Sequence, residues 1–178
     1  MAASLPPEAW DTHVHIFDPT HYPYSTERVY TPGTAMFSDL SSFNASLTSA
    51  GRGTNVVLVQ PSPYSSDNSL IIAKLRQENG KQESQQKCSR LLRAIVVLDF
   101  DHVTLQELQD LHEIGVRGIR LNLESGGKKI LIEELKDLMQ LVVRRLKEAN
   151  LQQSWFIQLF IPGETWKRKL NSRTHLNP

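Results

Sequence analysis

Two histidines separated by a single residue are the first side chains in this sequence whose spacing could do chemistry. In Ala9-Trp10-Asp11-Thr12-His13-Val14-His15-Ile16-Phe17-Asp18 the run from Ala9 to Phe17 reads as a strand. Alternation then puts Asp11, His13 and His15 on one face and Thr12, Val14 and Ile16 on the other. The imidazoles stand about 7 Å apart at their Cα atoms, so both can reach one metal ion, as in the His-x-His of a mononuclear zinc site, with Asp11 orienting a ring from behind. The plainer alternative is two polar residues filling a solvated strand end. Position favours chemistry: the pair precedes a long Pro/Tyr/Thr-rich loop, Asp18 to Thr34, and opens a β then α series, where such folds put their active sites.

The elements that must hold this pair follow in strict alternation. A helix is expected from Met36 to Ala50, stopped by Gly51. Asn55 to Gln60, ended by Pro61 and Pro63, reads as a strand buried on both faces. Asp67 or Asn68 caps the next helix, which Gly80 ends before a surface turn from Lys81 to Ser89. Leu91 to Phe100 is a third strand, and Thr104 with Glu107 makes a capping box for a helix that Gly115 stops. Val116 to Leu123 is a fourth strand, with Gly126 and Gly127 in the loop after it. Leu131, Leu135, Leu138, Met139, Val142, Leu146 and Ala149 line one helix face, and Ser154 to Ile161 is a fifth strand. Such a series specifies a parallel sheet covered by helices. It fits either an open doubly wound sheet or part of an eight-stranded barrel, which needs about 250 residues when whole. No Gly-x-Gly-x-x-Gly or P-loop pattern follows the first strand.

Composition narrows the partners. Over 178 residues, 20 Lys+Arg against 19 Asp+Glu leave a net charge of +1, which offers no electrostatic footprint for nucleic acid or an anionic membrane. Lys128 and Lys129, and Lys167 to Lys169, read as solvated surface. The lone Cys88 excludes a disulfide framework and suits a reducing compartment. With no signal peptide pattern and no apolar run long enough to span a bilayer, a soluble cytoplasmic protein is expected. Asn44-Ala45-Ser46 fits a glycosylation pattern but is expected to be an unmodified helix residue.

Trp10-Asp11-Thr12-His13-Val14-His15-Ile16-Phe17-Asp18-Pro19, followed by Tyr22-Pro23-Tyr24 and Tyr30-Thr31-Pro32, resembles the amidohydrolase superfamily. The likeness is to the amidohydrolase-related branch that includes 2-pyrone-4,6-dicarboxylate lactonase. Val116-Arg117-Gly118-Ile119-Arg120-Leu121-Asn122 is similar to that branch's fourth-strand motif, and Asn55 to Pro61 and Arg93 to Asp99 to its second and third strands. The resemblance runs from Ala9 to Trp166. It implies a TIM-type (β/α)8 barrel hydrolysing a small cyclic ester, amide or carboxylated ring at the C-terminal ends of its strands. In metal-dependent members the histidine pair, a fifth-strand His and an eighth-strand Asp hold zinc, whose bound water has a pKa of about 7. In the lactonase-like subgroup the histidines polarise the carbonyl without a required metal, arginines hold carboxylates, and the late Asp is the base. Zinc-dependent decarboxylases belong to the same branch. A catalytically dead remnant that binds a ligand is the non-enzymatic alternative.

Carried over residue by residue, the resemblance makes His13 and His15 the catalytic residues, and the ligands of Zn2+ or another divalent metal if one is bound. On the fourth strand the face bearing Gly118 would point inward, making Arg120 the guanidinium that clamps a substrate carboxylate. Asn122 or Arg117 would assist, Arg117 from the periphery; a structural ion pair is the competing role for Arg120. Gln60 at the end of the second strand either binds substrate or is structural, and Tyr24 and Tyr30 either cover the site or are ordinary loop tyrosines. Gln158 stands where a metal-binding histidine is expected, which leans toward the metal-independent chemistry. Beyond Trp166 the sequence is polar and carries no sixth, seventh or eighth strand pattern. The expectation is therefore one partial barrel domain over residues 1–178, truncated after about five units. Residues 167–178 are expected to be a disordered or aberrant tail, without a role for His175. The late carboxylate is missing, and open sheet edges are free to self-associate.

Overall fold

The computed structural model describes residues 4–6, 8–48, 53–84, 91–123 and 131–163. Gly51, Cys88, Gly126, Gly127, Lys128, Lys129 and the 167–178 tail lie outside them. Five strands, β1 (Trp10–Val14), β2 (Asn55–Val59), β3 (Leu92–Val96), β4 (Val116–Asn122) and β5 (Phe156–Phe160), form one parallel sheet in the order β1-β2-β3-β4-β5. A doubly wound sheet reverses its strand order at a switch point. Here the order never reverses, so the five strands and the helices between them form the half-barrel of a TIM-type fold rather than an open sandwich.

Helices α1 (Phe37–Ser46), α2 (Ser69–Ser84), α3 (Leu105–Glu113) and α4 (Ile132–Glu148) complete the units. The core lies between them and the sheet, where Val56, Leu58, Leu92, Ala94, Val96, Ile119 and Leu121 meet Leu75, Leu108, Val142 and Leu146. Leu135, Val142 and Leu146 are the buried stripe of α4, while Glu133 and Lys136 pair at 2.6 Å on its wet side. The capping box of α3 forms as its sequence predicts: Glu107 N donates to Thr104 Oγ1 at 3.1 Å and Thr104 N to Glu107 Oε2 at 2.7 Å. Gly115 follows α3 with φ +113°, and a Cβ there would sit 2.7 Å from Asn79 Nδ2.

Several boundaries differ from expectation, with α1 ending at Ser46 short of Ala50 and β3 at Val96 short of Phe100. Gly80 does not end α2, which continues to Ser84. An isolated glycine costs a helix about 1 kcal/mol, too little to stop one whose earlier turns bury Leu70, Ile71 and Leu75. At the other end of α2, Asn68 does not cap through its side chain. It is buried and stitches the helix start to the exit of β3, donating to Val97 O at 2.7 Å and accepting from Val97 N at 3.1 Å. Asn44, in the glycosylation pattern, is 1% exposed within α1. No helix among the described residues is long and apolar enough to cross a membrane.

The long loop after β1 is closed at its neck by an antiparallel bridge, Phe17 N to Ala35 O at 2.8 Å and Ala35 N to Phe17 O at 3.0 Å. Ser25 N, donating to Pro63 O at 2.8 Å, ties it to the turn after β2. Gly118 matters on the opposite side of the sheet. A Cβ at this position would lie 2.9 Å from the Phe156 carbonyl oxygen and 3.2 Å from Ile95 Cγ1. Gly118→Ala is therefore expected to push β5 off β4 and cost about 1–3 kcal/mol. Urea unfolding checks this, and an unchanged midpoint would show that β5 yields freely.

Candidate functional site

The side chains that alternate away from the helix-packed core gather on the concave face of the sheet. His13 lies within β1 and His15 follows its last residue, Val14; the register of β1 on β2 shifts between Asp11 and Val14. The ring centroids are 5.1 Å apart and the planes 89° to each other, so the parity expected of the pair holds. Neither ring is oriented by Asp11. The Val59 carbonyl at the end of β2 lies 2.7 Å from His15 Nδ1, and Gln158 Nε2 on β5 lies 3.1 Å from His13 Nδ1.

Arg120 on β4 is the register partner of Gln158 and is only 6% exposed. Its Cζ sits 5.0 Å from the centroid of the Phe160 ring, a cation–π arrangement. Its Nε and Nη1 are buried without a hydrogen-bond partner, as is Gln158 Oε1. A buried guanidinium left this open is costly unless an anion meets it.

Charge and burial act on the histidines together. His13, although largely exposed, is held below the usual imidazole range by partial desolvation and then by the Arg120 guanidinium, with Asp11 opposing. His15 is lowered first by burial, against the Val59 carbonyl, and further by Arg120 and His13. Both are neutral at pH 7. The folded chain thus binds fewer protons than the unfolded one just below pH 6.5, so this contribution to stability is present above 6.5 and lost as pH falls through the folded values. In an NMR titration of the ring protons both histidines are expected to titrate below 6.5. Arg120→Gln is expected to move both midpoints up, and Asp11→Asn to move that of His13 down.

The other residues singled out by sequence are placed as follows. Asn122, on the same strand face as Arg120, donates from Nδ2 to Ser62 Oγ at 2.7 Å. Gln60 is buried and donates to Asp67 O at 2.6 Å, bracing the β2–α2 connection. Arg117 projects to the helix side and donates to His112 O at 2.6 Å and Val116 O at 2.7 Å, at the opposite end of the strand from Asn122. Tyr24 packs its ring 4.9 Å from that of Tyr64 and donates to Pro32 O at 3.2 Å. Tyr30 is exposed on the loop after β1. Structure thus brings together His13, His15, Arg120 and Gln158.

A metal fits this set poorly. Among the described residues no group of three or more His, Cys, Asp or Glu is disposed to hold an ion, whereas a catalytic zinc takes three protein ligands. At strand five an amide occupies His13 Nδ1 in place of a third ligand.

With that geometry in place, comparison with known proteins is decisive on kinship. The Amidohydrolase family model matches residues 10–162. The chain belongs to the amidohydrolase family. Among curated members it is similar to the 4-sulfomuconolactone hydrolase of Hydrogenophaga intermedia, 34% identical over 117 residues, which is 65% of this chain and 34% of that protein. It is likewise similar to the 2-pyrone-4,6-dicarboxylate hydrolase of Comamonas testosteroni, 33% identical over 119 residues, 66% of this chain and 34% of that one. The chain thus spans about a third of the length of these relatives. A crystal structure of a probable 2-pyrone-4,6-dicarboxylic acid hydrolase from Acinetobacter baumannii, with citric acid bound, superposes with a TM-score of 0.65 at 23% identity, covering 93% of this chain and 54% of that one. Amidohydrolase kinship and the half-barrel fold therefore agree with each other, and the two strand motifs that carried the resemblance fall inside the matched span.

Proposed function

We propose that this amidohydrolase acts on a small cyclic ester carrying a carboxylate or similar anionic substituent, opening the ring by hydrolysis. The observation that carries this reading is Arg120: buried, with Nε and Nη1 unpaired, beside two neutral imidazoles. The guanidinium supplies an anion subsite, and the imidazoles supply hydrogen-bond and proton-transfer groups for the ester carbonyl. The names of the relatives support it, since each combines a lactone or pyrone ring with a sulfo or dicarboxylate group. The near-zero net charge supports a small-molecule partner rather than nucleic acid or membrane, and the single cysteine supports a reducing cytoplasm.

The test is ring opening, followed by ultraviolet absorbance, with 2-pyrone-4,6-dicarboxylate, 4-sulfomuconolactone and unsubstituted 2-pyrone. The expected result is turnover of an anionic ring, with kcat/KM for the uncharged ring lower by about 10²-fold or more, as loss of a buried charge-assisted contact predicts. Equal turnover of charged and uncharged rings, or none of any, overturns the reading.

A further inference from the structure

Gln158 enters the chain as a departure, an amide where a metal-binding imidazole is expected, and none of the chemistry above uses it. Its Nε2 lies 3.1 Å from His13 Nδ1. An amide NH2 only donates and an amide oxygen only accepts, so the orientation of this side chain decides which nitrogen of His13 carries the proton. The surroundings favour NH2 toward His13. Arg120, the cross-strand neighbour, already has buried Nε and Nη1 donors without partners, and Gln158 Oε1 is buried as well. Reversing the amide would add two more donors to a buried region whose unpaired groups are already donors. His13 Nδ1 is then the acceptor and Nε2 carries the hydrogen. At His15 the partner is the Val59 carbonyl, at 2.7 Å. A carbonyl accepts only, so Nδ1 carries the hydrogen and Nε2 holds a lone pair.

We propose that Gln158 is a positioning residue that sets His13 in the Nε2–H tautomer, opposite to the Nδ1–H tautomer that Val59 imposes on His15. Two adjacent imidazoles thereby present a donor and an acceptor side by side. The tautomers stand on hydrogen bonding alone; their use in hydrolysis rests on the function proposed above. Where the resemblance gives the base to a late-strand Asp, this use gives it to His15: the oxygen of water adds to the ester carbonyl carbon while its proton passes to His15 Nε2. The negative charge gathering on the carbonyl oxygen takes a hydrogen bond from His13 Nε2–H. Collapse re-forms the carbonyl, breaks the ring C–O bond and returns the proton from His15 to the departing oxygen. Equal tautomers would supply two donors or two acceptors and serve only half of this sequence.

The experiment is a long-range 1H–15N correlation spectrum of the intact protein labelled at histidine, at about pH 8.5 where imidazoles are neutral, with His13 and His15 signals assigned by their loss in the single alanine variants. Wild type is expected to show His13 as Nε2–H and His15 as Nδ1–H. Gln158→Glu, which can only accept, is expected to turn His13 to Nδ1–H and leave His15 as it was. Gln158→Leu is expected to mix the His13 tautomers and lower kcat by about tenfold with little change in KM. His13 found as Nδ1–H in wild type overturns the proposal, and this spectrum decides even if a variant fails to fold. An unmoved His13 tautomer in a folded Gln158→Glu protein overturns it too. The expected tautomers in a protein that opens no lactone ring support the positioning role and overturn the hydrolase reading instead.

Discussion

Arg120→Met is expected to abolish most turnover while leaving the protein as stable as before or more so. The two effects share one cause. Arg120 is 6% exposed and two of its nitrogens have no hydrogen-bond partner, so in the ligand-free protein its desolvation cost is offset only in part, by the Phe160 ring. Exchanging a buried, poorly paired charge for an apolar side chain of similar volume is often neutral or stabilising by about 1–4 kcal/mol. With substrate bound the balance reverses, because an anion in the pocket takes the open donors. Losing that contact is worth about 3–4 kcal/mol, or about 10²–10³-fold in kcat/KM. Arg120→Lys, a point charge without the planar fork, is expected to fall between. Urea midpoints and steady-state kinetics on the same preparations check both halves. A clear drop in stability with turnover retained would make Arg120 a structural cation and remove the anion subsite.

His13→Ala and His15→Ala are each expected to lower kcat by about 10²–10⁴-fold, the usual range for a positioned acid–base group. The double variant is expected to be scarcely worse than the weaker single, because groups that act as a unit are not additive. Stability separates the two. His13 is exposed and its removal is expected to be almost neutral, whereas His15→Ala leaves the Val59 carbonyl without its 2.7 Å partner and is expected to cost about 1 kcal/mol. Single-turnover kinetics with far-ultraviolet circular dichroism as a fold control measure both. Independent, multiplicative losses would show that the imidazoles do not share one reacting group.

Periodicity carried the large features because hydrophobic burial is what it reports. The five strands and the four helices between them, the capping box at Thr104, the histidine pair on one face and the division of Arg120 from Arg117 by strand parity could all be read from the sequence. Parity decides the arginine question since Arg117 alternates with the inward glycine and Arg120 matches it. Elsewhere a local signal met a competing demand. Gly80 reads as a stop, yet α2 passes through it on the strength of its packed first turns. Of the two cap candidates, Asn68 is taken up by Val97 while Asp67 accepts from Ser69 N at the start of α2. Gln60, at the end of the second strand, has two roles open to it in the sequence, and its amide is used by the β2–α2 connection. The part played by Gln158 was harder to find, though a signal existed: it shares inward parity with Phe156 and Phe160 and stands opposite Arg120. Its place beside the histidine pair followed only from the family resemblance, which puts a metal-binding histidine there; strand order and composition did not supply it. A linear strand order makes β1 and β5 the two most distant strands, and nothing in composition says that one side chain from each will touch.

That touch has a consequence in time as well as in space. His13 and Gln158 are separated by 145 positions and by three intervening strands, yet their side chains meet. Each neighbouring pair of strands can dock as its own unit completes, closing a modest loop. The bond between the outermost two waits for all of them. It is expected to form among the last in folding and, where β1 or β5 frays, to break among the first, while the centre around β2, β3 and β4 is held by its own pairings. The chemistry of the face is thereby gated by the integrity of the whole arc: a chain with a sound interior and one loosened rim would keep its shape by most spectroscopic measures and lose the polarity of its histidines.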